Sequence, residues 1–173
     1  DPQYREALFV RARALEALLV GAEREARVAG QLQAENVVAV TDCGEHQGLP
    51  FIVMELLQGE DLGSLLAREQ HLALPRAVDF VVQCCRGLEA VHKAGIVHRD
   101  IKPGNLFITR HSDGRDLLKV IDFGVVKWEG DLESNPVTRG GAIIGTIQYM
   151  PPEQVRGETI DARADVYALG AVL

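Results

Sequence analysis

Three short strings stand in one order along this chain and limit what it can fold into: His98-Arg99-Asp100-Ile101-Lys102-Pro103-Gly104-Asn105, then Asp122-Phe123-Gly124, then Pro151-Pro152-Glu153. Asp122 follows Asp100 by 22 positions, and Pro151 follows Asp122 by 29. The first string is polar and carries Pro and Gly, so it reads as a loop. Before it, Val78, Val81, Cys84, Cys85, Leu88 and Val91 recur at helical steps, with Pro75 suited to a first turn and Gly95 to a stop. After it, strands are expected over residues 106–109 and 117–121, around a polar turn of Ser112, Asp113 and Gly114. Asp100 and Asn105 thus share a loop between a helix and a strand, and Asp122 ends a strand.

The rest of the chain extends this pattern. Leu8, Ala12, Leu15, Leu19, Ala22, Ala26, Ala29 and Leu32 recur in steps of three and four, which predicts helix over residues 8–32, divided at Gly21. Residues 37–43 and 51–54 read as a strand pair separated by residues 44–50. Gln58, Gly59 and Glu60 form a connector, and residues 61–69 a short helix with Asp61 as N-cap. Residues 122–153 show no period and read as one long loop, a length that in compact domains usually signals function or disorder. This order of helices and strands points to an α+β fold.

Composition narrows the function classes. A net charge of -7 argues against a nucleic-acid or anionic-membrane footprint, and no apolar run reaches the roughly 20 residues that span a bilayer. Three cysteines without repeated spacing argue against a disulfide framework and suit a reducing cytosol. Cys84 and Cys85 are expected in helix packing. Asp1 is not an initiator Met, and the chain stops within the apolar run at residues 168–173, so truncation at both ends is expected.

The three strings match the catalytic loop, the metal-binding triplet and, with Pro151 where Ala or Ser is more usual, the Pro-Glu motif of protein kinases. Further matches lie at residues 51–62, 145–154 and 161–170. The chain is identified as resembling a eukaryotic-type, bacterial Ser/Thr protein kinase domain along essentially its whole length. That resemblance implies a two-lobed kinase fold: residues 1–54 as part of the N-lobe, 55–60 as hinge and 61–173 as part of the C-lobe.

The resemblance also implies roles. Asp100 would accept the proton of a substrate hydroxyl, Lys102 would approach the transferring phosphate, and Asn105 and Asp122 would ligate Mg²⁺, or Mn²⁺, through oxygen. Met54 would guard the back of the adenine pocket, backbone groups of Glu55 and Leu57 would meet the adenine edge, Asp61 would reach the ribose and Phe107 would pack on the ring. Glu25 lies on the stripe of Ala22, Ala29 and Leu32 and would pair with a strand lysine not present in this sequence, with Glu23 the fallback. Thr146 would bond near Asp100 and Lys102. Arg99 before Asp100 suggests ordering by phosphorylation, with Thr138 the better site and Ser134 the weaker. His98 and Phe123 would stack between the lobes, Glu153 would enter a buried salt bridge, and Asp165 would accept backbone hydrogen bonds from the catalytic loop. Asp-Ile-Lys-Pro-Gly-Asn is similar to the Ser/Thr type, since tyrosine kinases carry Ala and Arg near Lys102.

The implied partners are ATP and proteins bearing Ser or Thr, with no nucleic acid and no membrane contact from this segment. Dimerisation is left open but not indicated, and the expected location of the domain is cytoplasmic, with the parent protein open to membrane anchoring. The sequence holds neither a Gly-rich GxGxxG loop nor the strand lysine, so these residues alone are expected to bind ATP weakly and transfer phosphate poorly. Two rivals differ in class. A kinase-like scaffold would lack the upstream lysine, and a small-molecule phosphotransferase would usually lack Lys102, Gly145-Thr146 and the Pro-Glu pair.

Overall fold

A computed structural model describes residues 34–46, 49–122 and 147–173. Strand β1 (Val40–His46) pairs antiparallel with β2 (Leu49–Met54), from Val40 opposite Met54 to His46 opposite Leu49, with an irregularity between Val40 and Asp42. Strand β3 (Glu60–Asp61) leads into helix α1 (Leu62–Glu69), and α2 (Leu74–Lys93) follows. A 3-10 turn at Pro103–Asn105 feeds β4 (Leu106–Arg110), which pairs antiparallel with β5 (Asp116–Val120) and with β3. Beyond lie the single-turn helix α3 (Pro152–Val155) and α4 (Arg163–Val172).

Helix boundaries follow from local chemistry. Asp61 caps α1, its carboxylate accepting the Ser64 N–H at 3.0 Å and the Ser64 hydroxyl at 2.6 Å. Burial alone would raise the Asp61 pKa, but the Ser64 bonds and neighbouring backbone groups outweigh it and leave the carboxyl below its ordinary value. Pro75 lies in the first turn of α2, and Gly95 just past its end has φ 77.

The core forms where α1, α2 and α4 close on the β4–β5 pair. Leu65, Phe80, Cys84, Leu88, Ile101, Leu106, Leu118, Val120 and Leu169 make one buried cluster. Each such side chain contributes about 1.5–3 kcal/mol by leaving water. Of the paired cysteines only Cys84 packs inside; Cys85 is exposed. Burial, with Cys85 and Asp165 nearby, pushes the Cys84 thiol up to about 12, so it stays a thiol.

Several expected boundaries move. Residues 37–38 do not begin β1: Val37 bridges Val120 in parallel, the Val38 N–H bonds the Val120 carbonyl at 3.0 Å, and the Val120 N–H bonds Asn36 at 2.9 Å. Backbone committed to β5 cannot also pair with β2, so β1 starts at Val40. Residues 44–46 and 49–50 belong to β1 and β2 rather than to a separating loop, because the ladder continues to His46 opposite Leu49. Glu60 is not a connector residue but pairs with Ile108. The stretch read as a loop over 122–153 ends in helix, since α3 begins at Pro152, a residue suited to a first helical turn. The predicted helix at 8–32 lies outside the described residues.

Candidate functional site

The loop 98–105 is fixed from three directions. From α4, the Asp165 carboxylate, 1% exposed, accepts the N–H groups of His98 and Arg99, each at 2.8 Å, and meets His92 Nε2 at 2.7 Å. From α3, the Gln154 amide donates to the Arg99 carbonyl at 3.0 Å. From the end of β5, the Ile121 N–H donates to the Asn105 carbonyl at 3.0 Å, and the Ile121 carbonyl meets His98 Nε2 at 3.0 Å.

His98 is fully buried, and its two contacts assign its tautomer. The Asp100 N–H points at Nδ1 at 3.3 Å, so Nδ1 accepts and Nε2–H donates to Ile121. Burial holds the imidazole below its ordinary pKa; the Ile121 bond and the carboxylates of Asp165, Asp100 and Asp122 pull the other way without overcoming it. His98 is therefore a neutral ring that braces the loop against the end of β5, and Asp122 lies near enough to act on it. Phe123, the expected stacking partner, lies outside the described residues.

On this frame Asp100, Lys102 and Asn105 converge. Lys102 Nζ donates to Asp100 Oδ2 at 2.8 Å. The Asn105 amide nitrogen donates to the Asp100 carbonyl at 2.7 Å and to Oδ2 at 3.1 Å. That bonding directs the amide's nitrogen to Asp100 and leaves its oxygen as the other end. Arg99 has φ 66 and Asp122 φ 52, left-handed values that non-glycine residues seldom adopt and that cluster at functional sites. Among the described residues no group of three or more His, Cys, Asp and Glu is gathered for a metal. Asn105 and Asp122 offer two hard oxygen donors on adjoining backbone, the small protein share that Mg²⁺ takes when phosphates and water complete its shell.

Near the same end of β5, Lys119 Nζ meets Glu55 Oε1 at 2.6 Å, and the Ala39 N–H donates to the same oxygen at 2.8 Å. The Glu55 N–H bonds the Ala39 carbonyl at 2.9 Å, so of the backbone groups expected to meet a ligand edge Glu55 has its carbonyl left. Met54 and Leu57 are half-buried on either side. Phe107 sits on β4 opposite Asp61 and Lys119. The Asp61 carboxylate, expected at a ribose, is engaged in its cap. Glu153 is half-buried on α3. Glu25, Glu23, Ser134, Thr138 and Thr146 lie outside the described residues.

Two contributors carry no sequence signal that we read, His92 and Lys119; Gln154 lies inside the matched string 145–154, and Glu55 inside 51–62, where only its backbone was expected to act.

A family model described as protein kinase domain matches residues 12–173. Serine/threonine-protein kinase PknB of Mycolicibacterium smegmatis is 43% identical over 154 residues, covering 87% of this chain and 24% of that protein. Serine/threonine-protein kinase pkn3 of Myxococcus xanthus is 40% identical over 153 residues, covering 87% of this chain and 28% of that protein. The chain thus spans about a quarter of the length of the curated relatives it matches. In fold it is similar to the crystal structure of the Mycobacterium tuberculosis PknI kinase domain, at 24% identity and TM-score 0.76, covering 99% of this chain and 63% of that one. With this match along nearly its whole length, the chain belongs to the protein kinase domain family.

Proposed function

We propose that this chain supplies the catalytic loop and nucleotide-facing hinge of an ATP-dependent protein kinase that phosphorylates Ser and Thr hydroxyls. The observation that carries the reading is the convergence of Lys102 and Asn105 on the Asp100 carboxylate, with the Asn105 backbone tied to the residue before Asp122. The relatives named as serine/threonine-protein kinases support the substrate class.

In this reading the Asp100 carboxylate, oriented by Lys102 and Asn105, accepts the proton of the substrate hydroxyl and aims its oxygen at the γ-phosphate. Lys102 places a compact positive charge beside the phosphate being transferred. The Asn105 side-chain oxygen and the Asp122 carboxylate hold Mg²⁺, which when bound offsets phosphate charge. The Glu55 carbonyl and the Leu57 backbone take the adenine edge, with Met54 behind the ring and Phe107 against it. No observation favours a scaffold or a small-molecule phosphotransferase. Among the described residues no helix is long and apolar enough to cross a membrane, and we place the domain in the cytoplasm.

The test is phosphate transfer from labelled ATP by the full-length protein containing this chain. Asp100→Asn and Asp122→Asn should each lower the rate by roughly 10²-fold or more. Equal incorporation by wild type and both variants would defeat the assignment.

A further inference from the structure

Arg99 holds its left-handed φ of 66 under restraint from both sides. Its N–H donates to Asp165 Oδ1 at 2.8 Å. Its carbonyl accepts the Gln154 side-chain amide at 3.0 Å. That carbonyl belongs to the peptide leading into Asp100, and the N–H at the other end of the same peptide points at His98 Nδ1 at 3.3 Å. A peptide held at its oxygen and at its hydrogen is fixed in plane, and that plane sets where the Asp100 side chain starts. Strained backbone of this kind persists only where the surrounding contacts over-determine it.

Gln154 brings its restraint from α3, a different element from the loop and from α4. Its own backbone is secured. Pro151 is fully buried, and its carbonyl accepts the N–H groups of Gln154 at 3.0 Å and Val155 at 3.1 Å. Gly157, with φ 69, turns back and donates to the Gln154 carbonyl at 3.3 Å. The half-buried side chain is then placed to spend a donor on Arg99. A neutral amide suits the position, because it donates to a carbonyl without adding charge beside Asp100 and Lys102. A carboxylate there would set acceptor against acceptor.

Resting on the kinase reading above, we infer that Gln154 is a positioning residue for phosphoryl transfer: by holding the Arg99 carbonyl it fixes the direction from which the Asp100 carboxylate meets the substrate hydroxyl. Without that bond the peptide before Asp100 is free to turn and relieve the strain at Arg99. The carboxylate then leaves its productive setting for part of the time. The loss falls on the chemical step and spares ATP binding, because the groups assigned to the adenine edge, at Glu55 and Leu57, lie on another segment.

The test uses the full-length protein, labelled ATP and a protein substrate, with kcat and the KM for ATP measured separately. Gln154→Met keeps the length of the side chain and removes the donor. It should lower kcat by about tenfold or more while the KM for ATP changes by less than about twofold. Gln154→Glu keeps the shape but replaces the donor with an acceptor, and should be slower still. Urea midpoints of both variants separate this effect from simple loss of fold, and if Gln154→Glu fails to fold, the split measured for Gln154→Met decides. An unchanged kcat in Gln154→Met, a loss carried by the KM for ATP, or a folded Gln154→Glu as fast as the wild type overturns the positioning role and leaves the kinase reading intact. No transfer by the wild type overturns both.

Discussion

His92 and Asp165, 73 residues apart, meet at 2.7 Å between Nε2 and Oδ2, and so join the last turn of α2 to the first turn of α4. The same carboxylate receives the His98 and Arg99 N–H groups. Three donors on one buried carboxylate make Asp165 the anchor of the catalytic loop. Asp165→Ala leaves those donors unpaired and should cost about 3 kcal/mol or more. His92→Ala removes one bond at a side chain 20% exposed and should cost about 1 kcal/mol. Urea unfolding of the two variants orders them. Faster amide exchange at His98 and Arg99 should appear in the Asp165 variant, and a larger loss from His92→Ala would contradict the anchor.

His98 makes stability depend on pH in a stated direction. Its folded pKa is held below 6.5 by burial, while in the unfolded chain it titrates near the ordinary value. Below about pH 6.5 the unfolded state binds a proton that the folded state refuses. Its contribution is therefore complete above that pH and is lost as pH falls through the lower, folded value. Urea midpoints measured from pH 8 to 5.5 should drop at the acid end, and His98→Gln should flatten that part of the curve. A variant as acid-sensitive as the wild type would assign the effect to other groups.

How much of this was legible depended on whether the cause was local. Asp61 as cap, Pro75 in a first turn and Gly95 after a helix are decided within a few residues, and the structure has them in those places. Asn36 was not legible. Its amide donates to Gln83 at 3.2 Å and to the Leu118 carbonyl at 2.9 Å, partners 47 and 82 positions away. That pairing keeps residues 36–38 on β5 and displaces the start of β1. In the site, the catalytic-loop string was legible as a motif, whereas His92 and Gln154 act through contacts that no spacing announces.

Gly59 should not tolerate a side chain. It has φ 152, and a carbon added there would fall 1.9 Å from the Ile108 carbonyl oxygen and 3.2 Å from the Phe107 ring. Backbone must move to relieve the first contact, and β3 pairs with β4 at these residues. Gly59→Ala should lose about 3 kcal/mol, from strain and overpacking together. An unchanged urea midpoint would show that β3 is free to leave β4, contrary to the register described.

Lys119 and Glu55 should couple stability to nucleotide affinity. The lysine, its side chain 12% exposed, spans from β5 to the residue after β2, and its partner carboxylate also receives the Ala39 N–H. Lys119→Met keeps the stem's packing but removes the cation, leaving Glu55 half-buried with one donor. The cost should lie between that of an exposed and a buried pair, about 1–2 kcal/mol. Because Glu55 would also hold the adenine edge, the KM for ATP in the full-length protein should rise several-fold with a smaller change in kcat. Combining Lys119→Met with Glu55→Gln tests whether the two act together: the losses should fall short of additive by about 1 kcal/mol. Strict additivity would mean that the 2.6 Å contact does not position the hinge.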